Sequence, residues 1–193
     1  VIAINPEEIN EENLHKFDAV VLGIRAYNTV DVLKFKQKFL LDYVEKGGNM
    51  IVQYNTSGRR GIDVNAPFDL SVSRDRVTDE TAEVKILAKN HSLMNFPNKI
   101  ETSDFDGWVQ ERGLYFPNKW GKEFTPVLSM NDKGETAKNG SLLVAKYGKG
   151  HYMYTGLSFF RELPAGVSGA YKIFANMLSI GKDNIQTKTE IKE

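Results

Sequence analysis

Asp18-Ala-Val-Val-Leu-Gly23, running into Ile24-Arg-Ala-Tyr-Asn28, and Asn49-Met-Ile-Val-Gln-Tyr-Asn55, running into Thr56-Ser57-Gly58, bracket one amphipathic stretch. The interior of the first run is wholly apolar, the pattern expected of a strand buried on both faces of a parallel sheet. Between the two runs, Asp31 reads as the N-cap of a helix reaching about Lys46. Leu33, Leu40 and Val44, with Phe39 and Tyr43, fall on one face of it, and Lys34, Lys38, Asp42 and Glu45 fall largely elsewhere. Gly47-Gly48 then stops the helix, because glycine tolerates the backbone reversal needed there. The whole is a β-α-β unit, and the right-handed crossover rule predicts adjacent parallel strands. Open sheets of this kind meet ligands beyond the carboxyl ends of their strands. The candidate binding residues are therefore Arg25, Tyr27 and Asn28 after the first strand, and Gln53, Tyr54 and Asn55 closing the second.

Outward from this unit the pattern loosens. Pro6 to Lys16 is polar and predicts a brief helix ending near Phe17, and Ser57 to Pro67 reads as a surface loop. Strands are expected at Leu70–Val72, Ala82–Leu87, Trp108–Gln110, Leu114–Phe116 and Thr125–Met130. Leu142–Ala145 and Tyr152–Thr155, separated by Gly148-Lys-Gly150, predict a hairpin. A last amphipathic helix spans about Ser168 to Ile180 with Tyr171, Phe174 and Leu178 inward, followed by a polar tail over 182–193. No linker or repeat divides the chain, so residues 1–181 read as one domain. Val1-Ile-Ala-Ile4 reads as a strand already under way, the pattern of a piece of a longer polypeptide.

Composition narrows the chemistry. The chain has 193 residues, 41% of them hydrophobic, enough for one sizeable core. Twenty-five basic and 25 acidic residues cancel, and no block of like charge suggests a nucleic-acid partner. No apolar run is long enough for a membrane span. With no cysteine there is no disulfide, zinc–thiolate site or thiol nucleophile. Gly148-Lys-Gly150 is not a phosphate loop, which needs four residues between its glycines, then Lys-Ser/Thr and a helix. No dinucleotide fingerprint occurs, so no cofactor is expected.

Four strings carry a resemblance: Phe17-Asp-Ala-Val-Val-Leu-Gly-Ile-Arg-Ala-Tyr-Asn28, Asn49-Met-Ile-Val-Gln-Tyr-Asn-Thr56, Gly107-Trp-Val-Gln-Glu-Arg-Gly-Leu-Tyr-Phe116, and Tyr154-Thr-Gly-Leu-Ser-Phe-Phe-Arg-Glu-Leu-Pro-Ala-Gly166. Together they resemble the C-terminal module of large bacterial PIG-L-type (LmbE-like) N-acetylglucosaminyl deacetylases. That module is similar to class I glutamine amidotransferase-like domains of the ThuA-like branch. The resemblance covers nearly the whole chain. It implies an α/β, flavodoxin-like three-layer sandwich with a mostly parallel sheet and a β-hairpin excursion. It also implies that the family's first strand and helix are missing before Val1, and that a deacetylase domain of the same parent chain is the partner. The parent protein would then be exported, to the periplasm or cell surface. The deacetylase's own His/Asp metal-ligand motifs are absent from this sequence.

Fold does not carry the reaction with it. A class I amidotransferase needs a cysteine on a sharp strand-to-helix turn and a histidine oriented by a carboxylate. Here the comparable strand end is Val52-Gln-Tyr-Asn55, and Thr56 and Ser57 lack the Gly-x-Ser-x-Gly setting that exposes a hydroxyl nucleophile. His15, His91 and His151 read as structural or surface residues, so glutaminase chemistry is not expected. The strand-end amides, arginine and tyrosines suit a sugar or its carboxylate; the alternative is that Arg25 pairs with a buried acid and the amides satisfy loop backbone. Asp104, Asp106, Trp108, Glu111, Arg112 and Tyr115 form a second constellation, with Trp108, Glu111 and Arg112 as secondary site candidates. Two of its carboxylates, Asp104 and Glu111, would serve a hydrolase acting on a sugar or amide. Ser73-Arg-Asp-Arg76 reads as a surface ion-pair cluster, and Phe159-Phe160 as one core residue and one docking residue. The function expected is a non-catalytic accessory module, binding carbohydrate or docking on a deacetylase, with hydrolysis as the alternative.

Overall fold

Ala19 lies opposite Asn49 and Leu22 opposite Val52, so the two decisive runs are adjacent parallel strands joined by the expected helix. The computed structural model describes residues 1–57 and 66–182. Most of the expected loop from Ser57 to Pro67, and the tail after Lys182, lie outside the described residues. In chain order the elements are α1 (Glu11–Leu14), β1 (Ala19–Leu22), α2 (Ala26–Thr29), α3 (Leu33–Glu45), β2 (Asn49–Gln53), β3 (Leu70–Val77), β4 (Val84–Ile86), β5 (Gly113–Trp120), β6 (Thr125–Pro126), β7 (Leu128–Met130), β8 (Leu142–Tyr147), β9 (Gly150–Thr155), α4 (Phe159–Glu162) and α5 (Ser168–Ser179). Single 3-10 turns occur at Pro6–Glu8, Ser92–Met94 and Thr102–Phe105.

The main sheet is mixed, in the order β1-β2-β9-β8-β6. β1, β2 and β9 are parallel, while β8 and β6 run antiparallel to their neighbours. Alternation along β2 divides the core in two. Met50 and Val52 join Tyr152 and Tyr154 of β9 against Leu33, Leu40 and Val44 of α3. Ile51 and Met153 point the other way, into a cluster with Ala170, Ile173 and Met177 of α5. Each such large side chain contributes about 1.5–3 kcal/mol by leaving water. Two antiparallel ribbons, β3 with β5 and β4 with β7, complete the described strands.

Two glycine sites show why the chain turns where it does. At the end of α3, Gly48 N–H donates to Tyr43 C=O and Gly47 N–H to Val44 C=O, with Gly47 at φ +124°. That double bond pattern closes a helix only where a residue can take positive φ. Gly113 opens β5 against Gly156, where any Cβ would come within 2.1 Å of the Gly156 oxygen. This close approach lets Leu114 N–H bond to Gly156 C=O and brings β5 to the carboxyl end of β9.

Several expectations fail for tertiary reasons. The run Asp18 to Gly23 is not buried on both faces: β1 is the sheet edge and Val21 is 37% exposed. Asp31 is not the N-cap of α3, whose N-cap is Val32, with no side-chain bond. The chain arrives already turning, with Leu33 N–H on Val30 C=O and Lys34 N–H on Asp31 C=O, so backbone carbonyls meet the first donors. Thr125 to Met130 is two strands, because Val127 N–H bonds to Leu142 C=O while Val127 C=O accepts from Leu87, handing the chain from β8 to β4. Trp108–Gln110 and Val1–Ile4 are not strands. Tyr171 is 53% exposed, since Ala170, Ile173 and Met177 set the inner face of α5.

Candidate binding site at the carboxyl ends of the parallel strands

Beneath the strand ends lies a frame of amides and phenols. The Asn55 side chain accepts from Tyr27 N–H at 3.0 Å and donates to Gln53 C=O at 2.9 Å. Asn28 forms a reciprocal pair with Thr56, donating to its C=O at 3.0 Å and accepting from its N–H at 2.8 Å. Arg25 N–H bonds to Tyr54 C=O at 2.7 Å. From β9, Tyr154 Oη accepts from Asn55 N–H and donates to Tyr115 C=O, while Tyr27 Oη donates to Gln37. Tyr27, Asn55 and Tyr154 are buried. Burial pushes the Tyr27 and Tyr154 hydroxyls far above the ordinary phenol range, so both remain neutral donors. The turn after β1 and the turn after β2 are thus clasped into one rigid surface, and Tyr27, Asn28 and Asn55 carry that clasp.

The groups left over form the rim. Arg25 sits in the left-handed region at φ 56°, ψ 19°, directly after β1, and its side chain is exposed. Among the described residues no carboxylate lies within ion-pair distance of it, so the reading in which it pairs with a buried acid finds no partner there. Tyr54 follows β2 and packs on Tyr115 (centroids 6.2 Å, edge-on) and Phe160 (5.4 Å). Its hydroxyl is pushed up by burial and by Tyr115 and Glu111, and pulled back by Arg25 and Arg161, so these groups share one electrostatic neighbourhood. Gln53 is half-buried and its side chain has no bond to the described residues. Phe159 is core and Phe160 is on the rim, the division expected of that pair.

The second constellation is dispersed into structural roles. Trp108 is buried and its Nε1 donates to Asp104 C=O. Arg112 is buried, donating to Ala82 C=O through Nε and Nη2 and to Phe105 C=O through Nη1. Desolvation lowers its pKa, and Asp106, Asp79, Glu162 and Glu80 oppose that at longer range. Asp104 caps the turn at Glu101 and pairs with Lys172 at 2.7 Å. Of the secondary candidates only Glu111 reaches the rim, held at 2.7 Å by Arg161, which lies over the Phe160 ring. Behind it, Glu162 is wholly buried: burial raises its pKa, Val109 N–H bonds one carboxylate oxygen, and the other has no partner.

Ser73, Arg74 and Arg76, which the sequence reading assigned to a surface ion-pair cluster, are placed otherwise. β3 is bulged between Val72 and Asp75, where Ser73 Oγ donates to Phe116 C=O and accepts from Asp75 N–H. Arg74 and Arg76 then line a cleft of about 540 Å³ with Thr56, Ser57 and Tyr115. The ion-pair reading of the Ser73–Arg76 run finds no pair among the described residues, where neither arginine has a carboxylate partner. The histidines lie elsewhere. His151 opens β9 at the opposite end of the sheet beside Asn49, His15 lines a pocket with Asp18 and Lys182 at that same end, and His91 Nδ1 accepts from Leu93 N–H in a turn. Among the described residues no group of three His, Asp or Glu could hold a metal ion, and no helix is long and apolar enough to cross a membrane.

No protein-family model and no curated protein sequence matches the chain. It is similar in structure to the cytoplasmic protein STM3548 from Salmonella typhimurium, with TM-score 0.58 and 13% identity over 92% of this chain and 76% of that one. A second similar structure is the cytoplasmic protein STM1381 from Salmonella typhimurium LT2, with TM-score 0.50 and 14% identity over 88% of this chain and 74% of that one. A cold-adapted β-galactosidase from Rahnella sp. R3 aligns at TM-score 0.49 and 14% identity over 86% of this chain and 23% of that one. At such identities the likeness to the two Salmonella proteins is one of fold: this is a mixed α/β protein.

Proposed function

We propose that this chain is a non-catalytic, glutamine amidotransferase-like module of flavodoxin-like, three-layer type, which binds carbohydrate at the carboxyl ends of β1 and β2. Its setting would be a larger PIG-L-type deacetylase, whose catalytic domain is the neighbour it docks against. The observation that carries the reading is the division of labour at the strand ends. Asn28, Asn55 and Tyr27 are occupied by the frame, while Arg25 and the faces of Tyr54, Tyr115 and Phe160 stand on the rim. A rigid rim of aromatic faces beside a guanidinium suits stacking on a pyranose and hydrogen bonding to its substituents. The non-catalytic reading is supported by the absence of cysteine from the sequence and by the position of His15 and His151 at the opposite end of the sheet.

The test is calorimetric titration of the chain with tri-N-acetylchitotriose, alongside thermal melting. Wild type should bind, and Arg25→Ala should lose about 1.5–3 kcal/mol of binding, the range for a hydrogen bond to a charged group, with its melting temperature unchanged. A wild type that binds no glycan, or an Arg25→Ala protein that melts early while binding normally, would leave Arg25 with a structural role alone.

A further inference from the structure

We infer that the cleft between β3 and the turn after β2 is a subsite for a saccharide carrying an acidic group, a carboxylate or a sulfate. The inference rests on the carbohydrate-binding reading and adds to it the charge of the ligand. The chain as a whole is neutral, with 25 basic and 25 acidic residues, yet among the described residues the cleft is lined by two arginines and no acid: Arg74, Arg76, Thr56, Ser57 and Tyr115. Elsewhere on the described surface Lys38 pairs with Asp42, Lys46 with Glu11, Lys138 with Glu135 and Lys182 with Asp18. Arg74 and Arg76 have no such partner among the described residues, although Asp75 stands between them in sequence.

Their placement is built rather than incidental. Ser73 Oγ fastens the bulge in β3 to Phe116 of β5, and a bulge re-aims the side chains beside it. Opposite the arginines, Thr56 is fixed through its backbone by Asn28, so its hydroxyl is left without a bond among the described residues, as are those of Ser57 and Tyr115. The wall therefore offers two planar cations, which bind carboxylate or sulfate oxygens through paired N–H groups. It also offers three hydroxyls that can donate or accept at sugar hydroxyls. Tyr115 is shared with the aromatic rim, edge-on to Tyr54, so cleft and rim adjoin at that residue. The cleft volume of about 540 Å³ lies inside the range of small-ligand sites, roughly 300–1,000 Å³.

The experiment compares tetra-N-acetylchitotetraose, tetragalacturonate, a heparin-derived tetrasaccharide and inorganic phosphate by calorimetry at low and high salt. Wild type, Arg74→Ala, Arg76→Ala, the double variant and Arg25→Ala are each titrated, with melting curves as the control for folding. One or both acidic tetrasaccharides should bind at least tenfold more tightly than the neutral one, and more weakly as salt rises. Each of Arg74→Ala and Arg76→Ala should weaken that binding about ten- to a hundredfold, while affinity for the neutral sugar and the melting temperature hold. Equal affinity for neutral and acidic sugars, unchanged in the double variant, would overturn the acidic subsite and leave the carbohydrate module standing. Failure of all three saccharides to bind would overturn both. Phosphate binding as tightly as the acidic sugars would also overturn it, in favour of a bare anion site.

Discussion

At the amino ends of the parallel strands, charge meets charge. Lys182 holds Asp18 at 2.6 Å, Lys46 pairs with Glu11, and Asn49 bonds the Ile180 carbonyl at 2.8 Å with His151 beside it. At the carboxyl ends, neutral amides and phenols hold the chain together, and the guanidiniums of Arg25, Arg74 and Arg76 have no carboxylate partner among the described residues. The two ends of the sheet meet the same solvent, so the difference lies in how their side chains are partnered. Paired charges at one end dock the exit of α5 against the sheet. At the other, the frame is without charge, and on the proposed function the cations beside it serve a ligand. A binding surface needs such a separation, because a group already satisfied internally has little to gain from a ligand.

The largest effect should come from the frame. Asn55→Ala strands Tyr27 N–H and Gln53 C=O in a buried site, and a buried polar group without a partner costs roughly 1–3 kcal/mol. We expect about 2–4 kcal/mol of lost stability, read as a lower urea midpoint with an unchanged slope. A loss below about 1 kcal/mol would mean that water replaces the amide, and that the frame is less rigid than the bond pattern implies.

The rim should behave in the opposite sense. Arg25 is a non-glycine residue at φ 56°, and that conformation costs on the order of 1 kcal/mol. Arg25→Gly should therefore raise stability by up to about 1 kcal/mol, seen as a rise in melting temperature of about 2–4 °C, while glycan affinity falls. A lower melting temperature would show that the Arg25 side chain holds the fold together and would erase the contrast between rim and frame.

The smallest effect belongs to the amino end. The Asp18–Lys182 pair is largely solvated, so Lys182→Ala should cost less than about 1 kcal/mol at neutral pH. The sign with pH follows from Asp18, whose carboxyl is held below its ordinary 3.8 by the hydrogen bond and charge of Lys182. A carboxylate with a depressed folded pKa stabilises above its unfolded pKa and loses that contribution as the pH falls through the folded value. The difference between wild type and Lys182→Ala in chemical denaturation should thus be present at pH 6–7 and close as the pH is taken below 3.8. A difference that persists in acid would assign the effect of Lys182 to packing instead.

The β-α-β unit, the hairpin of β8 and β9 and the helix stop at Gly47 were legible in the sequence alone. These are local matters: an apolar run, a helical period and a glycine each act over a few residues, and their reading does not depend on what packs against them. Tertiary structure decided the rest. An apolar run reads alike at the edge and the centre of a sheet, so only pairing made β1 the edge. Asn28 and Asn55 are as competent toward a sugar as toward a backbone, and the neighbouring turn took them because it lies within hydrogen-bond reach. Arg74 and Arg76 look in sequence like half of an ion-pair cluster. Whether a guanidinium finds an acid depends on positions in space, and the bulge in β3 sets both against Thr56, Ser57 and Tyr115 instead.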